Sequence, residues 1–132
     1  MEFDMAITNE WGNPEKTVIY TVFDGTWTLE DYHGMIDEMH KMVLSVDHTV
    51  HFISDFTKSK SSPAKLLSTG RHMENTKSSR KTGISVAINA DGFLKAIANV
   101  AQKMFLKDTK MYFSKSVEEA YKIVETYSKA HA

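Results

Sequence analysis

Apolar residues along the chain fall into short alternating runs and longer runs with helical spacing, separated by polar residues and glycines. Two alternating runs, Phe3 to Thr8 and Thr17 to Phe23, flank the turn-rich segment Asn9 to Pro14 and predict an antiparallel pair of strands. Three more runs are rich in β-branched and aromatic residues and predict further strands at Thr49 to Phe56, Ile84 to Ile88 and Lys110 to Phe113.

Four other segments have the pattern of amphipathic helices. Thr28 is the predicted N-cap of the first helix, because Asp31 follows three residues later and Trp27 and Tyr32 have the spacing of a hydrophobic staple. This helix is expected to run to about Ser45 with one apolar face, formed by Tyr32, Met35, Ile36, Met39, Met42 and Val43. The other three are predicted to begin at Ser62-Pro63, at Asp91 and at Ser116, where Glu119 completes a capping box and Val117, Ala120, Tyr121 and Val124 face inward.

The resulting order is β-β-α-β-α-β-α-β-α, which predicts one α/β domain over residues 1–132. Helices between strands require crossover connections, so four strands are expected to be parallel, with the first antiparallel at an edge. We expect a two-layer sandwich of a five-stranded, mostly parallel sheet and four helices. Ligands of such sheets bind at the carboxyl ends of strands, here the loops after Phe23, Asp55, Asn89 and Phe113.

The composition and the missing motifs exclude several classes of chemistry and function. The 132 residues contain no Cys, which excludes disulfides, thiol catalysis and Cys-based metal sites. No signal peptide or membrane-spanning run is evident, so a cytoplasmic protein is expected. The motifs of nucleotide-binding proteins, serine hydrolases and zinc proteases are missing, which favours a protein that is not an enzyme and has no cofactor or bound metal.

Charge is distributed unevenly along the chain despite a net charge of −1. Residues 1–55 carry eleven acidic side chains and two lysines, whereas residues 56–82 carry seven basic side chains and one acid. The basic segment is interleaved with Ser and Thr rather than with aromatic rings, so nucleic-acid binding is not expected. An acidic protein partner or a solvated helix surface fits it better.

Several motifs resemble those of a known family. Trp11 lies in the first hairpin, Gly25-Thr26-Trp27-Thr28 precedes the first helix, and Ser116-Val117-Glu118-Glu119-Ala120 begins the last one. With Asp55-Phe56-Thr57 ending the third strand, the chain resembles the SpoIIAA-like family of the STAS fold, the fold of anti-sigma-factor antagonists. The resemblance implies a regulatory domain that is switched by phosphorylation of a Ser at the next helix start. Its relation to CRAL-TRIO-type lipid carriers implies an apolar ligand as the alternative.

The candidate binding residues lie between Asp55 and Lys65. Ser61 and Ser62 precede a predicted helix, where a phosphate would meet free backbone N–H groups and nearby lysines, although simple capping explains them too. The same geometry could bind a protein or a small anionic ligand. The predicted binding set comprises Asp55, Thr57, Lys58, Lys60, Ser61, Ser62 and Lys65.

Other features have alternative interpretations. His33, Asp37 and His40 have a spacing that could hold a metal, but they lie on the polar side of the first helix and are expected to be solvated. The methionines of that helix are expected to fill the core, or else to line a Met- and aromatic-lined cleft between the first and third helices that carries a lipid-like ligand. An enzyme centred on Asp55 and a homodimer are further hypotheses.

Overall fold

The computed structural model describes residues 6–60, 82–89 and 111–130. The order of elements agrees with the predicted order over these ranges. They are β1 (Ile7–Trp11), β2 (Val18–Gly25), α1 (Leu29–Leu44), β3 (Val50–Ser59), β4 (Thr82–Ile88), β5 (Met111–Ser114) and α2 (Val117–Ala130).

The five strands form one mixed sheet in the order β1-β2-β3-β4-β5. β1 pairs antiparallel with β2, and every other neighbouring pair is parallel. This confirms the predicted arrangement, which follows from the lengths of the connections: a short turn returns the chain antiparallel, while a connection of about a dozen residues or more can return it parallel. The carboxyl ends of β2, β3, β4 and β5 therefore lie at the same edge of the sheet.

The first hairpin turns later than the sequence predicts. The first strand is Ile7–Trp11 rather than Phe3 to Thr8, and residues 12–17 make the turn. The Oδ1 atom of Asn13 accepts hydrogen bonds from the backbone N–H groups of Thr17 and Val18, at 3.0 and 3.3 Å, and this closes the turn. Asn9 belongs to the predicted turn-rich segment, but it lies in β1 and its Nδ2 donates to the Met35 carbonyl of α1 at 3.0 Å. A tertiary partner thus allows a polar residue within the strand.

The helices pack on opposite faces of the sheet, so the fold has three layers and the predicted two-layer sandwich is wrong. On one face, Met35 and Ile36 of α1 pack with Phe23, Trp27 and Ala87. On the other face, Ala120 and Val124 of α2 pack against a cluster from β2, β3 and β4 that comprises Val18, Ile53, Ile84, Val86 and Ile88. α2 follows β5 and does not connect two of the described strands, so no crossover between them sets its side of the sheet.

α1 confirms its predicted boundaries. Thr28 is the N-cap, its Oγ1 accepts from the Asp31 N–H at 3.1 Å, and the Asp31 carboxylate accepts from the Thr28 N–H at 2.9 Å. The staple also forms, with the rings of Trp27 and Tyr32 5.9 Å apart. The helix ends at Leu44 with Ser45 as its C-cap.

α2 agrees with the prediction in part. Ser116 Oγ accepts from the Glu119 N–H at 3.1 Å, but the Glu119 carboxylate accepts from the N–H of Lys115. Ala120 and Val124 are buried as predicted, whereas Val117 is 43% exposed because contact with the sheet begins one turn later. The chain has two helices in its described part rather than the four predicted; those expected from Ser62 and Asp91 lie outside the described residues. Neither helix is long and apolar enough to cross a membrane.

Candidate functional site

The end of β3 extends beyond the neighbouring strand β4. The last residue pair between these strands joins Asp55 to Ile88, while β3 continues to Ser59. On its other side the extension stays paired with β2, through Lys58 with Asp24 and Ser59 with Gly25. β3 therefore ends three residues later than the predicted strand, which runs from Thr49 to Phe56. We call the segment from Asp55 to Lys60 the β3 extension.

The backbone of the β3 extension is anchored to the turn between β2 and α1. Trp27 is fully buried, and its indole N–H donates to Ser59 Oγ at 2.9 Å. The N–H of Lys60 donates to the carbonyl of Gly25 at 2.7 Å. Gly25 has a φ of 68°, a left-handed conformation that glycine adopts without a steric penalty. The same Gly-Thr-Trp-Thr turn that begins α1 thus also holds the end of β3.

Asp55 is held as a carboxylate at the base of the β3 extension. Its Oδ2 accepts from the Tyr20 hydroxyl at 2.6 Å, and its Oδ1 accepts from the Thr57 N–H at 2.9 Å. Partial burial raises the pKa of Asp55, but the hydrogen bonds from Thr57 and Tyr20 and the nearby charge of Lys58 lower it more, so the pKa lies below its ordinary value. Burial and the Asp55 carboxylate both raise the pKa of Tyr20. At neutral pH the pair is therefore a charged acceptor with a neutral donor.

Asn89 connects three strand ends at this edge of the sheet. Its Nδ2 donates to Thr57 Oγ1 at 2.8 Å, and its backbone N–H donates to the carbonyl of Ser114 at 2.9 Å. Asn89 has a φ of 57°, a left-handed conformation that Asn adopts more readily than most residues. The ends of β3, β4 and β5 are thereby linked through the side chain and the backbone N–H of one residue.

Exposed charges surround these hydrogen bonds. Lys58 and Lys60 of the β3 extension are both exposed, and so is Asp24, which lies opposite Lys58 in the ladder. Asp55 is half-buried and already accepts two hydrogen bonds. The accessible groups are therefore two lysines, one aspartate and the polar side chains of Thr57 and Asn89.

Four of the seven predicted binding residues lie in the β3 extension: Asp55, Thr57, Lys58 and Lys60. Ser61, Ser62 and Lys65 lie outside the described residues, and the predicted phosphorylation stays a prediction. Sequence reasoning missed Tyr20 and Asn89. Asn89 carries a usable signal, since a polar residue directly after a buried strand marks its carboxyl end. Tyr20 carries none, because its pairing with Asp55 depends on the register of β2 against β3.

The methionines and the possible metal ligands that the sequence suggested lie on α1. Met35 is buried against the sheet, and Met39 and Met42 are half-buried in the same core clusters, which agrees with core filling. His33 and His40 are half-buried and Asp37 is exposed. Over residues 6–60, 82–89 and 111–130, no group of three His, Asp or Glu side chains could hold a metal ion.

No family model matches the chain, and neither a curated protein nor a solved structure matches it significantly. The resemblance to SpoIIAA-like domains therefore stays a prediction from the sequence motifs. The function has to be argued from the geometry of the β3 extension.

Proposed function

We propose that this chain is a non-enzymatic regulatory domain of STAS-like organisation that binds an anionic group of a protein partner or small ligand at the β3 extension. Lys58 and Lys60 supply the charge, and Thr57 and Asn89 supply polar contacts. The resemblance in the loop and helix motifs and the mixed, five-stranded sheet support this organisation.

One observation carries the proposal: the backbone of the β3 extension is anchored while its long charged side chains remain exposed. The anchors are the Trp27 to Ser59 and Lys60 to Gly25 hydrogen bonds, of 2.9 and 2.7 Å. An anchored backbone loses little conformational freedom when a ligand binds, so less of the interaction energy is spent on ordering the site. Its position at the carboxyl end of a central strand is where ligands of α/β sheets bind.

The chemistry of Asp55 supports binding rather than catalysis. A general acid or base works best when its pKa lies near the operating pH. The pKa of Asp55 is lowered and that of Tyr20 is raised, so both move away from neutrality. The carboxylate instead holds the Tyr20 hydroxyl and the Thr57 N–H, which shapes the β3 extension. Asp55 is thus better suited to positioning Thr57 than to transferring a proton.

A titration followed by two-dimensional ¹H–¹⁵N NMR tests the proposal. Inorganic phosphate and, separately, a short polyglutamate peptide are added to the whole chain. We expect concentration-dependent shifts of the backbone amides of Thr57, Lys58 and Lys60 and of the Asn89 side-chain amide. The double variant Lys58→Ala, Lys60→Ala should weaken the fitted affinity by about thirtyfold, since it removes two charge-assisted contacts of about 1 kcal/mol each.

A matched control removes two exposed lysines that lie outside the β3 extension, Lys41 of α1 and Lys122 of α2. The control Lys41→Ala, Lys122→Ala has the same net charge as the site variant and should keep the affinity of the unmodified chain. Equal losses in both double variants would show that binding depends on net charge alone. That result, or shifts spread over all exposed lysines, would contradict a site at the β3 extension.

A further inference from the structure

His51 of β3 is a buried histidine that joins three elements on the α2 side of the sheet. It is 5% exposed, and its Nδ1 lies 3.1 Å from the backbone nitrogen of Ile84 in β4. Its Nε2 lies 3.2 Å from the hydroxyl of Ser128 in the last turn of α2. The ring also packs edge-on against Tyr127, with centroids 5.7 Å apart.

The contact with Ile84 fills an irregularity in the sheet. Between the pairs Val50 with Thr82 and Phe52 with Ser85, β4 contains one more residue than β3. Such a bulge takes a backbone group out of the ladder, and a buried N–H needs another acceptor. The imidazole of His51 accepts from the Ile84 N–H and so replaces a backbone carbonyl. Gly83 makes room for the ring, since a Cβ at this position would overlap Nδ1 of His51.

These contacts require one protonation state of the ring. Nδ1 accepts a hydrogen bond, so it carries no proton, and the single proton of the neutral ring lies on Nε2. Nε2 then donates to Ser128 Oγ. Burial lowers the pKa of His51 below its ordinary value of 6.5, which agrees with a ring that is neutral when folded.

Within the part of the chain that the structure describes, no carboxylate contacts the ring. The ring's polar contacts are a backbone N–H and a hydroxyl, and its aromatic contact is Tyr127. On α2, Glu125 and Lys129 are exposed and pair with each other at 3.7 Å. In the segment before β3, Nε2 of the exposed His48 lies 2.8 Å from the carbonyl oxygen of Lys16.

We infer that His51 is an acid-sensitive latch that holds the β4 bulge and the last turn of α2 to β3 while its ring is neutral. A second proton on the ring places an N–H at Nδ1, directly opposite the N–H of Ile84. Two donors then face each other, and the hydrogen bond that satisfies the bulge is lost. Because the charged ring is also poorly solvated at this position, protonation favours opening of the contact with Ser128 and Tyr127.

The pH dependence of unfolding tests the latch, with His51→Asn as the informative variant. The Asn Oδ1 can take the place of Nδ1 as acceptor but cannot be protonated in this pH range. A histidine with a lowered folded pKa takes up a proton on unfolding, so its contribution to stability is complete above about pH 6.5 and is lost as pH falls. In denaturant titrations from pH 8 to pH 5, the unfolding equilibrium constant should rise by up to about tenfold more per pH unit in the unmodified chain than in the variant.

Ring NMR of the unmodified chain gives a second test that does not depend on folding of the variant. The ¹⁵N shifts of His51 should show a protonated Nε2, an unprotonated Nδ1 and a midpoint below the ordinary histidine value of about 6.5. The protection factors for amide exchange, which correct for the slower intrinsic exchange at lower pH, should fall below this midpoint at Ile84 and in the last turn of α2, while those in the middle of α1 should not. A proton on Nδ1 at neutral pH, an ordinary midpoint, or identical pH profiles for the unmodified chain and the variant would each overturn the inference.

Discussion

At the scale of single residues, several side chains accept hydrogen bonds from N–H groups that a backbone carbonyl usually accepts. The His51 ring accepts from the N–H of Ile84, and the Asn13 carbonyl oxygen accepts from two N–H groups of its turn. The Asp55 carboxylate accepts from the N–H of Thr57 two residues later. At each of these positions the backbone is irregular, so the N–H group has no backbone carbonyl in the ladder or turn. The side chain supplies the missing acceptor. Substitution at these positions affects the backbone as well as the side-chain packing.

Gly83 gives the clearest residue-scale prediction. The variant Gly83→Ala should lower the free energy of unfolding by about 1–3 kcal/mol, because its Cβ would displace the His51 ring from a packed site. Equilibrium denaturation measures the change, and the Ile84 amide should exchange faster with solvent. Unchanged stability would mean that the ring does not occupy this position.

Gly34 provides the matched control, since it lies within α1 and a Cβ there would meet no atom within 4 Å. Gly34→Ala should raise the free energy of unfolding by about 0.5–1 kcal/mol, through the higher helix propensity of alanine. The same substitution is thus expected to have opposite signs at the two glycines. A loss of stability at Gly34 would contradict its open surroundings.

At the scale of elements, α1 has boundaries that its own sequence specifies. The capping box joins Thr28 and Asp31, and the staple joins Trp27 and Tyr32, all within five residues of each other. Both interactions depend only on helical geometry and close neighbours in the sequence. They were therefore predictable, whereas the end of β3 was not. The β3 extension depends on Gly25 and Trp27, which lie more than thirty residues earlier in the chain.

Removing the N-cap tests this element. Thr28→Ala leaves the Asp31 N–H without its side-chain acceptor, so the free energy of unfolding should fall by about 1 kcal/mol. Thr26→Ala, at an exposed position two residues before the cap, should change it by less than about 0.5 kcal/mol. Thermal unfolding of the two variants side by side gives the comparison. Equal effects would show that Thr28 stabilises the protein by something other than the cap.

At the scale of the whole molecule, one hydrogen bond ties the last helix to the first hairpin. The hydroxyl of Tyr121 in α2 donates to the carbonyl of Gly12 at 2.9 Å, across 109 residues of sequence. The Tyr121 ring also lies parallel to that of Tyr20, with centroids 6.3 Å apart. Tyr20 in turn donates to Asp55. A continuous series of contacts through Tyr121 and Tyr20 therefore joins the hairpin, α2 and the base of the β3 extension.

Loss of this link should destabilise the contact between α2 and the hairpin. Tyr121→Phe keeps the ring but removes the hydroxyl, so the free energy of unfolding should fall by about 1 kcal/mol. Amide exchange at Gly12 and Val18 should increase in the variant. Tyr112→Phe removes a hydroxyl from another tyrosine packed on the same cluster and should cost less. A larger loss for Tyr112→Phe would contradict the role given to Tyr121.

Much of the architecture could be predicted because it depends on local rules. Alternating apolar residues indicated all five strands, and the lengths of the connections indicated one antiparallel pair followed by parallel neighbours. Part of the candidate site could be predicted as well, since Asp55, Thr57, Lys58 and Lys60 lie at the carboxyl end of a central strand. Its partners could not be, because Tyr20 meets Asp55 only through the register of β2 against β3.

The sequence by itself therefore determined the kinds of elements, their order, the direction of the strands and the start of α1. Only the tertiary structure decided three other features. It determined the residue at which β3 ends, the packing of α2 on the face opposite α1, and the hydrogen bond by which His51 satisfies a bulge in β4. The physical reason is the range of the interactions. Caps, staples and apolar periodicity act between residues a few positions apart, whereas the hydrogen bonds of Asp55, of His51 with Ser128 and of Tyr121 span 35, 77 and 109 residues.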